Sequence, residues 1–353
     1  MSNNYLDIEN VDFQIGGKTR VKNASLSIEK KGDIICILGP SGIGKTTILR
    51  SIAGLEKLNK GTIKLKGKVI STKNYNLEPE NRNIALSFQD NSLFPHYTIE
   101  KNINIALERK NSSKKKINPN EVIKLLGINK ILNKYPHQVS AGEAQRVSLA
   151  RSLSSNPDLL LLDEPLSNID TSFKEEIQVE LKQILNRFKI TTIIVTHDSY
   201  EAFYLGDKCG VILDNKLEQY DTPYNLYHFP KSIKIVKFLN RGVLIPAIVT
   251  SPKSLENDEL GTITGIFAKK FPVGSKVKLL LQPEDLDHDD KSNLKLDVVD
   301  IKFRGSSFIY TLETQSKKKL SIILNSHHIH QHKINDKFGI KKPIHIEHIV
   351  CFS

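Results

Sequence analysis

Two rhythms of apolar residues divide this chain. Up to about Pro230, short apolar or β-branched runs at 34–38, 159–162 and 191–196 are separated by longer helix-compatible stretches. That alternation predicts an α/β core on a largely parallel sheet. Ahead of it, residues 8–28 alternate as a strand pair would, with Gly16-Gly17 as the turn. Between Asp90 and Ser155 the chain becomes polar and helix-compatible, with Pro119 opening one segment and Gly127 closing another, which predicts a helical insertion. Beyond Asn240 the runs 277–281, 294–301, 307–312 and 320–324 are short and punctuated by Gly, Pro, Asn and charge. They predict a small β-barrel or sandwich. The expected domains are therefore 1–240, with a helical subdomain at about 90–155, and 241–353.

Composition narrows the class. A chain of 353 residues exceeds what one core usually fills, in keeping with two domains. Its longest apolar runs fall far short of the roughly 20 residues needed to span a bilayer, and the start, Met1-Ser-Asn-Asn, lacks the basic and apolar segments of a secretory signal. Three distant cysteines, Cys36, Cys209 and Cys351, form no Cys-x-x-Cys pair, so buried reduced thiols are expected. The net charge of +12 would suit an anionic partner, but the runs 114–116 and 317–319 are Lys-only and lack interleaved aromatics. No nucleic-acid partner is expected on that basis.

The chemistry is concentrated in a few short strings. Gly39-Pro40-Ser41-Gly42-Ile43-Gly44-Lys45-Thr46 stands after an apolar strand and before a helix-compatible segment beginning at Thr47. A glycine-rich turn there directs backbone N–H groups at phosphates, Lys45 reaches the terminal ones, and the Thr46 hydroxyl suits Mg²⁺. The run 159–162 delivers Asp163 and Glu164 to its carboxyl end, where open α/β sheets bind ligands. Asp163 suits a second Mg²⁺ anchor and Glu164 a base for an attacking water. A third strand ends in His197, a donor for a γ-phosphate. These residues together imply a bound nucleotide with Mg²⁺ as cofactor.

With these strings in order, and with Gln89, the signature Val139-Ser140-Ala141-Gly142-Glu143 and the loop Ser167-Asn-Ile-Asp170 between them, the sequence resembles ABC transporter nucleotide-binding subunits over residues 5–245. The resemblance implies a P-loop NTPase fold of ABC type with a helical insertion, followed here by a small OB-like β-barrel. It also narrows the nucleotide to ATP and implies catalytic Glu164, His197 and Gln89, with Mg²⁺ held by Thr46, Gln89 and Asp163. Ser140, Ala141, Gly142 and Glu143 would close on ATP bound to a second copy, making a homodimer, with Asp170 coupling the two sites. The residue stacking on adenine falls by register at Ile15, with Phe13 as the alternative.

Two departures stand out: Ala141 occupies a position that is Gly in the family's usual signature, and Ile15 one that is aromatic. The stretches 79–82, 93–96 and 99–103 are similar to the coupling region of binding-protein-dependent importers, and 219–223, 226–230, 280–286 and 303–305 to their C-terminal parts. The pattern looks most like ferric-iron importers; polyamine, sulfate or molybdate, and sugar importers share much of it. The implied partners are membrane-spanning permease subunits and, indirectly, a solute-binding protein, with the chain peripheral at the cytoplasmic face of the inner membrane. A non-transport ATPase acting on nucleic acid and a regulatory module with a degenerate site are the other classes; the intact Lys45, Asp163, Glu164 and His197 oppose the latter. The His-rich segment 326–332, with His327, His328, His330 and His332, reads as a solvated loop, because no nearby Cys or carboxylate cluster completes a metal site. His288, among Asp287, Asp289 and Asp290, reads as a turn.

Overall fold

The computed structural model describes residues 4–88, 92–108, 117–167, 169, 171–326 and 332–353. The chain forms two compact units, Met1–Leu226 and Tyr227–Ser353.

Among the described residues the first unit carries a ten-stranded sheet. Its strands are β1 (Leu6–Ile15), β2 (Lys18–Ile28), β3 (Ile34–Leu38), β4 (Lys60–Leu65), β5 (Lys68–Thr72), β6 (Ile84–Ser87), β7 (Leu159–Asp163), β8 (Thr192–Thr196), β9 (Lys208–Leu213) and β10 (Lys216–Asp221). They lie in the order β5-β4-β1-β2-β10-β9-β3-β8-β7-β6. The central neighbours β9, β3, β8, β7 and β6 are parallel. In β3, β7 and β8 every residue is buried, as expected for strands covered on both faces. This is why they read as unbroken apolar runs, whereas the β1–β2 hairpin alternates and turns at Gly16 and Gly17, both at positive φ.

Around the sheet run α1 (Lys45–Ala53), α2 (Ile99–Glu108), α3 (Pro119–Leu125), α4 (Ala141–Ser154), α5 (Thr171–Phe188) and α6 (Ser199–Leu205). Helix α1 buries Ile48, Leu49 and Ile52 in the main core. Its end is held by the buried Arg82 guanidinium, which donates to the Ser51 and Ile52 carbonyls at 3.3 and 2.8 Å and to Ile70 O, Leu77 O, Ser71 Oγ and Asn76 Oδ1. Helices α2, α3 and α4 form the expected helical insertion.

The division between the units falls within the short helix α7 (Pro223–His228), so α8 (Ile233–Leu239) belongs to the second unit, where Val236 packs with Leu280 and Val350. The remaining strands are β11 (Val243–Ser251), β12 (Ser254–Asn257), β13 (Gly261–Phe267), β14 (Lys276–Leu281), β15 (Lys295–Phe303), β16 (Ser307–Glu313), β17 (Lys319–Asn325), β18 (Lys337–Gly339), β19 (Ile344–Ile349) and β20 (Cys351–Phe352). They make two sheets, ordered β19-β13-β12-β11-β14-β20 and β17-β16-β15-β18. Inward residues of both, such as Ile245, Val249, Leu279, Leu312 and Ile322, share one core. Alternation does this: along β11, Ile245, Ala247 and Val249 point in, while Pro246, Ile248 and Thr250 point out.

Candidate functional site

The parallel register of β3, β8 and β7 pairs Leu38 with Thr196 and Asp163 with Val195, so three strand ends open on one place. From β3 the chain enters the glycine-rich turn. Gly42 and Gly44 take φ of 76° and 112°, and a Cβ at Gly44 would lie 2.6 Å from Arg20 Cβ, so only glycine fits that turn. Pro40, Ser41 and Thr46 are exposed at its rim, while Ile43 and Thr47 anchor it inward. Turning there also aims successive N–H groups and the start of α1 into one concavity, which is the electrostatics of an anion site.

Lys45 is 5% exposed, and its ammonium donates to Gly39 O at 2.9 Å and Pro40 O at 3.1 Å and pairs with Glu164 Oε1 at 3.5 Å. Glu164 reaches it because its backbone leaves the strand at φ 46°, a conformation uncommon for a side chain of this size, held by the Glu164 N–H donating to Val195 O. The other carboxylate oxygen lies 3.2 Å from His197 Nδ1. Burial raises the Asp163 carboxyl above its ordinary range, against the Thr46 hydroxyl bonded to it and the nearby Lys45. A buried carboxylate beside a hydroxyl is an oxygen donor set that suits Mg²⁺. Lys45, Thr46, Asp163, Glu164 and His197 thus come together as the sequence indicates.

The signature lies on the helical insertion. Ser140 caps α4: its Oγ accepts from Glu143 N at 3.2 Å, and Glu143 Oε2 accepts from Ser140 N at 2.8 Å. This reciprocal bonding starts the helix at Ala141. Ala141 is at ordinary helical φ, so the glycine of the usual signature is not required there. The open space around Gly142 and the Ser140 hydroxyl stand at an exposed helix N-terminus. Gln89 and Asp170 lie outside the described residues, as do His327, His328 and His330.

The structure departs from the sequence expectations at Phe13, His288 and His332. Phe13 is 0% exposed and sits in the main core, so it has no free ring to lay on a base; Ile15, half-buried at the end of β1, remains the candidate. His288, read as a turn, is bridged to Ile340 with its side chain 2% exposed, and His332, read as part of a solvated loop, has its side chain 11% exposed.

Sequence reasoning also missed a buried group behind His197. Glu201, 2% exposed on α6, accepts from the Thr196 hydroxyl at 3.1 Å, and Lys174 of α5 bonds Asp198 at 2.6 Å and lies 3.6 Å from Glu201. Burial pushes the Glu201 carboxyl up to about 7, offset by Lys174 and Thr196. The string Asp198-Ser-Tyr-Glu201 carries a capping signal, but capping predicts a surface Glu, and here Asp198 alone caps α6 by accepting from Tyr200 N and Glu201 N.

Comparison with known proteins agrees with this geometry. Residues 21–167 match the family described as ABC transporter. The Fe(3+) ions import ATP-binding protein of Fusobacterium nucleatum is 32% identical over 332 residues, 91% of this chain and 86% of that protein. The spermidine/putrescine import ATP-binding protein of Thermotoga maritima is 38% identical over 281 residues, 78% and 74% of the two chains. A solved dimeric ATP-binding cassette in a post-hydrolysis state bound to ADP and Pi is similar with a TM-score of 0.53 at 27% identity, covering 62% of this chain and 98% of that one.

Proposed function

The chain belongs to the ATP-binding subunits of ABC transporters, and from that premise we propose that it powers the import of ferric iron, hydrolysing ATP between two copies of itself docked on a membrane-spanning permease. The observation that carries the ATPase reading is the Glu164 carboxylate held between Lys45 and His197 at the mouth of the glycine-rich turn. A carboxylate so held can accept the proton of a water attacking the terminal phosphate, while Lys45 and the turn's N–H groups take up the charge that develops. Thr46 and Asp163 would hold Mg²⁺, which supplies charge neutralisation at the phosphates; Gln89 is a further expected ligand. His197 Nδ1 beside Glu164 supports its role in holding the water and the γ-phosphate.

A dimer is supported by the dimeric assembly of the similar solved cassette and by the α4 N-terminus. Ser140 and Gly142 leave that end open to a phosphate held by another copy. For the permease, the first unit offers a cleft of about 790 Å³ lined by Pro79, Glu80, Phe88, Phe94, Ile105 and Arg151. The fully buried Asn102 of α2 holds its rim by accepting from Phe94 N and donating to Phe94 O and Tyr97 O. Docking there would place the chain at the cytoplasmic face of the membrane; among the described residues no helix is long and apolar enough to cross one.

Iron is favoured as cargo by the ferric-iron import relative, 32% identical over 91% of this chain, together with the sequence pattern of the coupling and C-terminal stretches. Polyamine is the second reading, supported by the spermidine/putrescine import relative of Thermotoga maritima at 38% identity over 78% of this chain. The subunit reconstituted in vesicles with its permease and binding protein discriminates between them. ATP turnover stimulated by ferric-loaded binding protein is the expected result; stimulation by spermidine alone would transfer the assignment to polyamines.

A further inference from the structure

Within the second unit, two histidines 44 residues apart meet. The segment 287–290, between β14 and β15, is stitched to the β18 region: Asp289 N donates to Gly339 O at 3.0 Å, Lys341 N donates to Asp287 O at 2.9 Å, and His288 forms a bridge with Ile340. A Cβ at residue 339 would lie 2.0 Å from Asp289 O, so glycine permits this approach. His288 is thereby pressed on Phe338, ring centroids 4.5 Å apart, and His332 lies against the same ring at 4.7 Å. The His332 backbone is bonded to the hydroxyl of the buried Tyr310.

His288 Nε2 and His332 Nε2 are 2.9 Å apart, and Asp290 Oδ1 is 3.0 Å from the first and 3.5 Å from the second. We propose that His288, His332 and Asp290 form a binding site for a divalent first-row transition-metal ion, Zn²⁺ or Fe²⁺ in kind. Two imidazole nitrogens at this separation cannot both carry protons toward each other, whereas one cation accepts both lone pairs and the carboxylate together. The three edges define a circle of radius about 1.8 Å, so an ion ~2.0–2.1 Å from each atom fits just outside their plane. Seen from that ion, neighbouring ligands subtend about 90–120°, spanning octahedral and tetrahedral angles, with further positions left for water.

The donor set decides the class. Two imidazoles and one carboxylate suit Zn²⁺ and Fe²⁺, while Ca²⁺ and Mg²⁺ favour oxygen alone. The walls are suited as well: Phe338 and Tyr310 are 0% and 2% exposed and fix both ring planes in apolar surroundings. His332 is 11% exposed and Asp290 44%, so entry is from the carboxylate side.

The test uses the full chain, stripped with chelator and titrated with Zn²⁺ by calorimetry in excess Mg²⁺, which occupies the carboxylates of the nucleotide site. One Zn²⁺ per chain is expected. His288→Gln and His332→Gln should each weaken binding at least about tenfold and abolish the rise in melting temperature that Zn²⁺ gives the wild type. ATP turnover should be unchanged in both. Asp290→Asn, on the exposed side, provides a variant that leaves the core intact, and Co²⁺ bound to the wild type should shift imidazole resonances. Absence of stoichiometric binding would overturn the site, leaving a histidine–histidine hydrogen bond. Binding of undiminished affinity in both histidine variants, or Co²⁺ that leaves the imidazole resonances unmoved, would also overturn it.

Discussion

Glu164 is the residue on which hydrolysis should turn. Its carboxylate is fixed by Lys45 and His197, and its backbone is held at positive φ by the bond to Val195 O. Glu164→Gln keeps the shape and a hydrogen-bonding group but removes the base, so ATP binding should persist while phosphate release falls by ~10²–10⁴-fold. Lys45→Ala should instead lose nucleotide affinity, which a titration separates from turnover. Near wild-type turnover in Glu164→Gln would remove it from the role of base. At the adenine end, Ile15 gives apolar contact without stacking, a difference of about 1 kcal/mol. Ile15→Tyr should therefore tighten ATP several-fold in equilibrium binding and improve discrimination against GTP; an unchanged affinity would move the base away from the end of β1. The choice between Ile15 and Phe13 was hard to read from sequence because β1 and β2 shift register at Ile8/Val11, Val11/Phe13 and Phe13/Gln14. A count in steps of two loses the face at each shift.

At the scale of elements, α6 shows what a local reading misses. Glu201 faces inward from its first turn to bond Thr196 at the end of β8, and Lys174 comes from α5 to share it with Asp198. The glycine-rich turn, the acidic end of β7 and the capped start of α4 were legible because each is a contiguous string whose spacing carries its chemistry. Glu201 was not, because its burial depends on Lys174 of α5, 27 residues earlier, and on which way a helix of seven residues rolls. The His288–His332 contact was hidden for the same reason: each histidine alone looks like loop, and only the stitching of 287–290 to β18 joins them. Burial raises the Glu201 carboxyl from the ordinary 4.5 to about 7, so the folded state holds its proton more tightly than the unfolded chain does. The stabilisation from that proton is complete below pH 4.5 and is lost as pH rises through about 7. In Glu201→Gln this dependence should vanish, so the variant's stability relative to wild type should rise by on the order of 3 kcal/mol across that window. Urea unfolding followed by far-UV circular dichroism suits a chain without Trp. A difference that stays flat with pH would show that Glu201 titrates as it does in the unfolded chain.

At the scale of the whole molecule, every phosphate-handling residue described lies in the unit ending at Leu226, while the metal-ligand cluster and both small sheets lie beyond it. A shift in composition near Asn240 is visible in the sequence, yet the compact units part fourteen residues earlier, because α8 carries its own apolar face. Ile235, Val236 and Leu239 are 0%, 4% and 5% exposed, and Val236 packs with Leu280 and Val350 of the second unit. A helix of seven residues reads in sequence like one more element of the α/β part, since periodicity records which face is apolar and not what covers it. The two ends therefore make different truncations. A fragment ending at Leu226 should fold, bind ATP and stay monodisperse, since its core of β1, β2, β3, β4, β7 and β8 is complete. One ending at Asn240 keeps α8 without its cover and exposes three large aliphatic side chains, each worth roughly 1.5–3 kcal/mol when buried. That fragment should bind ATP with the same affinity but self-associate, giving a concentration-dependent profile in size-exclusion chromatography. If it were as monodisperse as the shorter one, α8 would have another cover within the first unit; if the shorter fragment failed to bind ATP, the nucleotide unit would need structure beyond Leu226.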